Sequence, residues 1–265
     1  MKVGSMLQIC IPCAGRGFRF EKAGYLEPKP LINILGIPML QYVIRNLLLD
    51  YDCNFIFLVR QEHQDNFNIC DKIDKCLEDE IKTRGKNCRF CTQTSFIMVP
   101  EITDGCACTV LLAKDLFKDQ PLIVAGCDQY IEGFDLNEWL NHGYNLDGSL
   151  VTFYGDNHPK WSYTRIGGNG LVTQVAEKNP ISSHVNTGIY YFSNGSDYIK
   201  YAERMIAAND KVNSEFYLCP VYNYYIRDNK RIGIFPVGNM VPLGTPEDVK
   251  TYINKFPQNL VMDTI

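Results

Sequence analysis

Gly15, Arg16, Gly17 and Arg19 crowd into five positions after the apolar run Leu7–Cys13, and Lys29 follows in the stretch PKPL. Glycines let backbone N–H groups approach a ligand closely, and arginines supply fixed positive charge, so the chemistry this spacing serves is phosphate binding. The loop is not the dinucleotide fingerprint, because Phe20 stands where a third glycine is required, and no G-K-[ST] follows to make a P-loop. Two glycines with two spaced cations, Arg19 and Lys29, suit a triphosphate, whose charge needs several partners at once. Taken alone, a tight strand-to-loop turn with solvated arginines accounts for the same residues equally well.

Further along, Asp128 closes the apolar run LIVAGCDQY just past Gly126. A carboxylate at the end of a buried strand can hold Mg²⁺ against phosphate oxygens, or simply cap a turn. Glu177 and Lys178 end another strand-like run, where Glu can accept bonds from hydroxyls or amines and Lys can hold a monoester phosphate. Asn186 and Thr187 add small polar groups beside Gly188, and HPKWSY (158–163) brings basic and aromatic residues to the same rim. His158 reads as a surface residue; His63, His142 and His184 have no partner pattern, and no Ser–His–Asp or Cys–His arrangement is present.

The composition narrows the setting. The chain has 265 residues, 46% of them hydrophobic, enough for a substantial core. A formal net charge of −4 gives no general attraction to nucleic acid or anionic membrane, while leaving room for a local basic site. No run of about 18 apolar residues is present to span a bilayer, and no signal peptide opens the chain. Eleven cysteines, an odd number, scattered through the chain fit a reducing cytoplasm rather than a disulfide framework. Cys10 with Cys13 and Cys88 with Cys91 form two C-x-x-C pairs, but residues three apart in a strand point to opposite faces, which argues against one zinc ion between them.

These groups need elements to position them. Strand-like runs at 7–13, 54–59, 95–99 and 121–126 alternate with helical patterns at 38–49, 62–82 and 106–117, and this alternation predicts a largely parallel sheet with helices on both faces. From about residue 148 the strands come close together, at 149–154, 163–167, 171–177 and 185–192, with GGNG (167–170) as a hairpin turn, and helices are expected at 195–208, 214–227 and 246–255. Residues 1–6 read as an N-terminal extension and are set aside. Residues 7–256 read as one continuous domain, with a nucleotide-binding half over 7–147 and an acceptor-binding half over 148–256. Ligands of open α/β sheets bind beyond the carboxyl ends of the strands, so the loops after 7–13, 95–99 and 121–126 are expected to share one crevice.

The ordered set IPCAGRGFRF…PKPLINILGIPMLQYVI, AGCDQY, AEKNP, NTGIYYF and LGTPEDV resembles the nucleotidyl transferase family, the sugar-phosphate nucleotidylyltransferases or NDP-sugar pyrophosphorylases, over about residues 7–256. GCACTVLLAKD, HPKWSY and FYLCPVYN resemble a bacterial subgroup linked to capsule and surface-polysaccharide synthesis. The resemblance implies a Rossmann-like mixed sheet of glycosyltransferase-A type, three-layer α/β/α. It also implies a reaction that joins a nucleoside triphosphate to a sugar phosphate or other small phosphomonoester and releases pyrophosphate, with Mg²⁺ as cofactor. By position, Arg19, Lys29 and Asp128 become the catalytic set, with Asp128 on the metal. Ala14, Gly15, Arg16, Gly17, Glu101, Gly105 and Ala107 become the nucleotide site. Glu177, Lys178, Asn186, Thr187 and Ser162 become the acceptor site. CTP is the favoured triphosphate, with UTP and dTTP as alternatives; no nucleic acid or membrane partner is expected, and assembly into a homo-oligomer is left open. One departure stands out: many members carry an Asp two residues before the Gly of the GTP motif as a second metal ligand, and here Pro242 and Leu243 occupy that stretch. Glu215 is one substitute. The rival readings are a glycosyltransferase on the same fold, which would want a D-x-D motif where the chain has Cys127-Asp128-Gln129, and a nucleotide-binding subunit without turnover.

Overall fold

LQICIP carries no charge, and its residues are buried as far as the final proline, which marks it as a strand covered on both faces. A computed structural model describes residues 6–84, 92–142 and 145–256. In chain order the strands are β1 (Leu7–Pro12), β2 (Asn33–Ile34), β3 (Ile37–Pro38), β4 (Cys53–Arg60), β5 (Thr92–Val99), β6 (Leu122–Ala125), β7 (Gln129–Glu132), β8 (Gly148–Tyr154), β9 (Ser162–Ile166), β10 (Val172–Glu177), β11 (His184–Phe192), β12 (Ile232–Pro236) and β13 (Asn239–Pro242). The helices are α1 (Phe18–Lys22), α2 (Met39–Leu47), α3 (Gln61–Phe67), α4 (Ile69–Arg84), α5 (Cys106–Leu111), α6 (Leu136–His142), α7 (Gly195–Ala207), α8 (Val221–Arg227) and α9 (Pro246–Ile253).

The main sheet runs β10-β9-β11-β6-β1-β4-β5, and β8 and then β12 extend it from the other flank of β11. β6, β1, β4 and β5 are parallel, whereas β11 runs antiparallel to β6, β8 and β9, so the sheet is mixed. β11 pairs with β9 at Val185 and with β6 from Ile189, and the register breaks between them around Gly188, whose φ of +90° suits glycine. Period-two alternation sorts the strands onto two cores. Leu7, Ile9, Ile11, Phe55 and Phe57 pack with α2, α4 and α6, while Cys10, Ile56, Leu58 and Val124 pack with α5, α7 and α8. The result is a Rossmann-like three-layer α/β/α fold. Cys10 and Cys13 fall in opposite cores, as the strand argument required; Cys88 and Cys91 lie outside the described residues.

Several elements differ from expectation. The helix expected over 62–82 is two helices, split at Asn68, which takes φ 50° as short polar side chains tolerate, with the Gln64 side chain accepting from the Cys70 N–H. The helix expected over 106–117 stops at Leu111 and gives way to a 3₁₀ turn over Lys114–Leu116. Only Val221–Arg227 is helical in the stretch 214–227, because Asn213 and Ser214 both have positive φ and Pro220 supplies the N-cap. The short elements α1, β7, α6, β12 and β13 carry too few apolar residues in a row to signal from sequence. Among the described residues no helix is long and apolar enough to cross a membrane.

Candidate active site

The loop after β1 meets the loop after β6 at the carboxyl edge of the sheet. Gly17 caps α1 with φ 66°, and buried Phe20 anchors that short helix, leaving Arg19 exposed. Gly15, Arg16, Gly17, Arg19 and Lys29 line a cavity of about 350 Å³, with the thiols of Cys13 and Cys127 on its floor. Ala14 is buried in the core beneath the loop rather than lining that cavity.

Lys29 Nζ donates to Asp128 Oδ2 at 2.5 Å, joining residues 99 positions apart. Burial disfavours the Lys29 charge, but Asp128, the adjoining Cys127 and the hydrogen bond outweigh it and hold the ammonium above its ordinary range. Two bonds hold the Asp128 backbone and a third braces the Gln129 side chain that makes one of them. Its N–H meets Gln129 Oε1 at 3.3 Å, Gln129 Nε2 donates to Gly126 O at 2.9 Å, and Leu243 N–H donates to Asp128 O at 2.8 Å. The strand that follows is pinned from α2, where Asn46 gives and receives bonds of 2.8 Å with the backbone of Ile131.

A second, smaller cavity of about 160 Å³ shares Arg19, Lys29 and Gly244 with the first and adds Asp128, Lys160, Thr245 and Asp248. Pro242 borders it and Leu243 is fully buried, so neither residue of that stretch offers a ligand oxygen from its side chain. A Cβ added at Gly244 would lie 3.0 Å from Asp128 Oδ2 and 3.9 Å from Asp248 Oδ2. The missing side chain therefore leaves a hard-oxygen cradle between two carboxylates, which suits a magnesium ion bound through one or two protein ligands and phosphates. Lys160 Nζ reaches Asp248 Oδ1 at 3.5 Å, and Thr245 caps α9 by accepting from the Asp248 N–H at 3.1 Å. Glu215 lies instead beside Tyr217 and Glu177.

On the nucleotide side, Gly105 opens α5 with φ 135° and ψ 170°. Its missing side chain matters for packing: a Cβ would meet the backbone N and O of Phe216 at 2.5 Å. Phe216 N–H donates to Asp104 O at 2.8 Å and its carbonyl accepts from Ala107 N–H at 3.0 Å, clasping the two segments together. Ala107 is buried, with its carbonyl accepting from Tyr198, and Glu101 is exposed.

Of the residues expected to meet the acceptor, Glu177 ends β10 and Lys178 follows it directly. Burial pushes the Glu177 carboxyl up to about 7, with Lys178 opposing and Glu215 adding to the rise. Lys178 takes φ 55°, its N–H donates to Trp161 O at 2.8 Å, and its ammonium donates to the Tyr217 hydroxyl. Asn186, Thr187 and Ser162 lie close by but use their polar groups internally. Asn186 accepts from Thr164 and donates to Ser162 and Cys219, and Thr187 donates to Val151 O. They brace the floor of this region. Burial pushes the Cys106 thiol up, with Cys127, Asp128, Glu177 and Glu215 adding to the rise.

A family model described as nucleotidyl transferase matches residues 11–223. The chain belongs to the nucleotidyl transferase family. It is 28% identical over 242 residues to the bifunctional protein GlmU of Methanocaldococcus jannaschii, covering 90% of this chain and 52% of that protein. The corresponding protein of Methanococcus aeolicus is 25% identical over 257 residues, covering 96% and 55%. The chain thus spans about half the length of the curated relatives it matches. Among solved structures it resembles a nucleoside-diphosphate-sugar pyrophosphorylase from Vibrio cholerae, with a TM-score of 0.76 and 25% identity over 93% of this chain and 99% of the other. It also shares its fold with an inositol-1-phosphate CTP transferase from T. maritima, with a TM-score of 0.67 and 12% identity over 99% of each chain. In this family member, sequence reasoning placed Lys160 only within the HPKWSY rim and missed Gln129, Asp248 and Tyr217 as neighbours of the site. Asp248 alone left a signal, because T-P-E-D ahead of an apolar run is a helix-capping pattern, but nothing in it shows that the cap faces Asp128.

Proposed function

We propose that this protein is a nucleotidyltransferase of the sugar-phosphate type, which joins a nucleoside triphosphate to a small phosphomonoester and releases pyrophosphate. The observation that carries the reading is the Lys29–Asp128 pair, with Lys29 lining both a glycine-and-arginine cavity and a second chamber that Asp128 also lines. In the reaction an oxygen of the acceptor phosphate attacks the α-phosphorus in line, the new P–O bond forms, and the bond to the β-phosphate breaks. A phosphate monoester is already an adequate nucleophile, so positioning and charge neutralisation are what the protein must supply. Arg19 and the loop N–H groups hold the β- and γ-phosphates, Lys29 meets the α-phosphate, and Lys178 holds the acceptor phosphate. Asp128 would hold Mg²⁺, with Asp248 the carboxylate across Gly244. When bound, that ion supplies neutralisation of charge developing on the phosphate oxygens.

CTP is the favoured triphosphate, with UTP and dTTP as alternatives, and surface-polysaccharide precursor synthesis the setting; the resemblance of GCACTVLLAKD, HPKWSY and FYLCPVYN to a bacterial subgroup supports both. Free cysteines throughout the described residues support a reducing compartment. A second reading, a binding subunit without turnover, is favoured by one feature only, the missing acid at Pro242 and Leu243, where many members carry a second metal ligand. The test is pyrophosphate release with Mg²⁺, using CTP, UTP, dTTP, ATP and GTP against a panel of sugar and other monophosphates, with Arg19→Ala as control. Release that requires one triphosphate and one acceptor and collapses in the control supports transfer. Triphosphate binding by calorimetry with no release across the panel would favour the binding subunit.

A further inference from the structure

Lys178 is the cation assigned above to the acceptor phosphate, and a lysine on four flexible bonds needs something to aim it. Its backbone is already constrained: φ of 55° is unusual for a residue with a side chain, and the Trp161 carbonyl holds its N–H. Its ammonium donates to the hydroxyl of Tyr217 and lies 4.5 Å from the centroid of that ring. Burial pushes the Tyr217 hydroxyl up, and the nearby Glu215 carboxylate adds to the rise. A hydroxyl facing an ammonium accepts from it, because the ammonium has donors and no acceptor.

Tyr217 is itself held by its neighbours in the chain. Val212 and Glu215 exchange backbone bonds of 3.0 Å around a tight turn at Asn213 and Ser214, and Phe216 is clasped to Asp104 and Ala107. Phe216 points into the core, so the residues on either side of it, Glu215 and Tyr217, turn toward Glu177 and Lys178. The segment that carries Tyr217 is thus fastened to the loop assigned to the nucleotide.

We propose that Tyr217 is a positioning residue that fixes the Lys178 ammonium where the acceptor phosphate will meet it. The proposal rests on the reading of Lys178 as the acceptor-phosphate cation. Tyr217 acts through Lys178 and need not touch substrate.

Two measurements test it and separate it from that reading. The first needs no substrate: the rate of reductive methylation of Lys178 by formaldehyde, followed by peptide mass spectrometry with Lys29 as internal standard. In Tyr217→Phe, which keeps the ring, the Lys178 rate rises about fivefold or more while the Lys29 rate is unchanged. An unchanged Lys178 rate in a variant with a normal thermal melt overturns the proposal, whatever the enzyme turns out to do. The second is steady-state kinetics of pyrophosphate release on the acceptor found active. Tyr217→Phe raises the acceptor KM about tenfold, with kcat and the triphosphate KM within about twofold. The double variant Lys178→Met/Tyr217→Phe is no worse than Lys178→Met. A further loss of the same tenfold in the double variant, or an equal rise in both KM values, overturns the positioning role. An acceptor KM unmoved by Lys178→Met overturns the role of Lys178 and with it this proposal. Absence of turnover in the parent removes the functional reading alone, and the methylation rates still decide whether Tyr217 fixes Lys178.

Discussion

Replacing Gly105 by alanine separates two roles for one glycine, contact with a nucleotide base and closure of a backbone clasp. The added Cβ would fall 2.5 Å from both the nitrogen and the oxygen of Phe216, and ordinary contact begins at 3.4 Å, so the two segments must part by about 0.9 Å. The displaced atoms make the bonds to Asp104 O and from Ala107 N–H, worth about 1 kcal/mol each. The backbone at φ 135°, ψ 170° lies in a region that glycine alone adopts easily, adding about 1–3 kcal/mol of strain. Together the substitution should cost about 3–5 kcal/mol and lower the melting temperature by about 6–20 °C. The assay is thermal unfolding by circular dichroism, paired with calorimetric titration of CTP. A melting temperature within about 2 °C of the parent would refute the clasp, and would do so most sharply if CTP binding were lost at the same time, leaving the base contact as the glycine's purpose.

Three further outcomes are expected. Arg19→Ala should keep the parent melting curve, since the side chain is exposed, and lose about 100-fold or more in pyrophosphate release, measured at saturating triphosphate. Asn46→Leu strands the N–H and carbonyl of Ile131 in the core and should cost about 2–4 kcal/mol by urea titration, a loss that Asn46→Asp repairs only in part because a carboxylate cannot donate. Glu177 has a carboxyl held near 7 by burial, above its unfolded value, so the folded state binds its proton more tightly and loses stability as pH rises from about 4.5 to about 7. Glu177→Gln removes that loss: it should match the parent near pH 5 and exceed it at pH 8, by on the order of 1–3 kcal/mol in paired thermal melts, and a constant difference across pH would contradict the assignment.

Much of the fold was legible because its signals are local. Buried runs such as LIVA, NFIFLV and LQICIP announce parallel strands through composition alone, and GGNG between alternating residues announces a hairpin, which closes with Gly167 N–H on Leu171 O at 2.8 Å. The glycine-and-arginine loop was legible for the same reason, since the residues that line its cavity lie within a few positions of one another. Strands such as β7 and β13 were not, because four mixed residues become a strand only when a partner over a hundred positions away supplies the ladder. Helix ends failed where a single residue such as Asn68 takes a left-handed conformation that the apolar period does not record.

By itself, the sequence determined the order of the long strands and the main helices between them, the make-up of the glycine-and-arginine loop and the residues available to a nucleotidyl transferase site. The tertiary structure alone decided which of those residues share a space. Lys29 meets Asp128 across 99 positions, Lys160 meets Asp248 across 88, and Lys178 meets Tyr217 across 39. It also turned Asn186 and Thr187 inward, to Thr164, Ser162 and a backbone carbonyl, and gave Gly105 a packing reason beside its expected ligand role. Hydrogen-bond partners and close contacts depend on where distant segments cross, and that is set by the burial of the two cores around the sheet, which no short window of sequence contains.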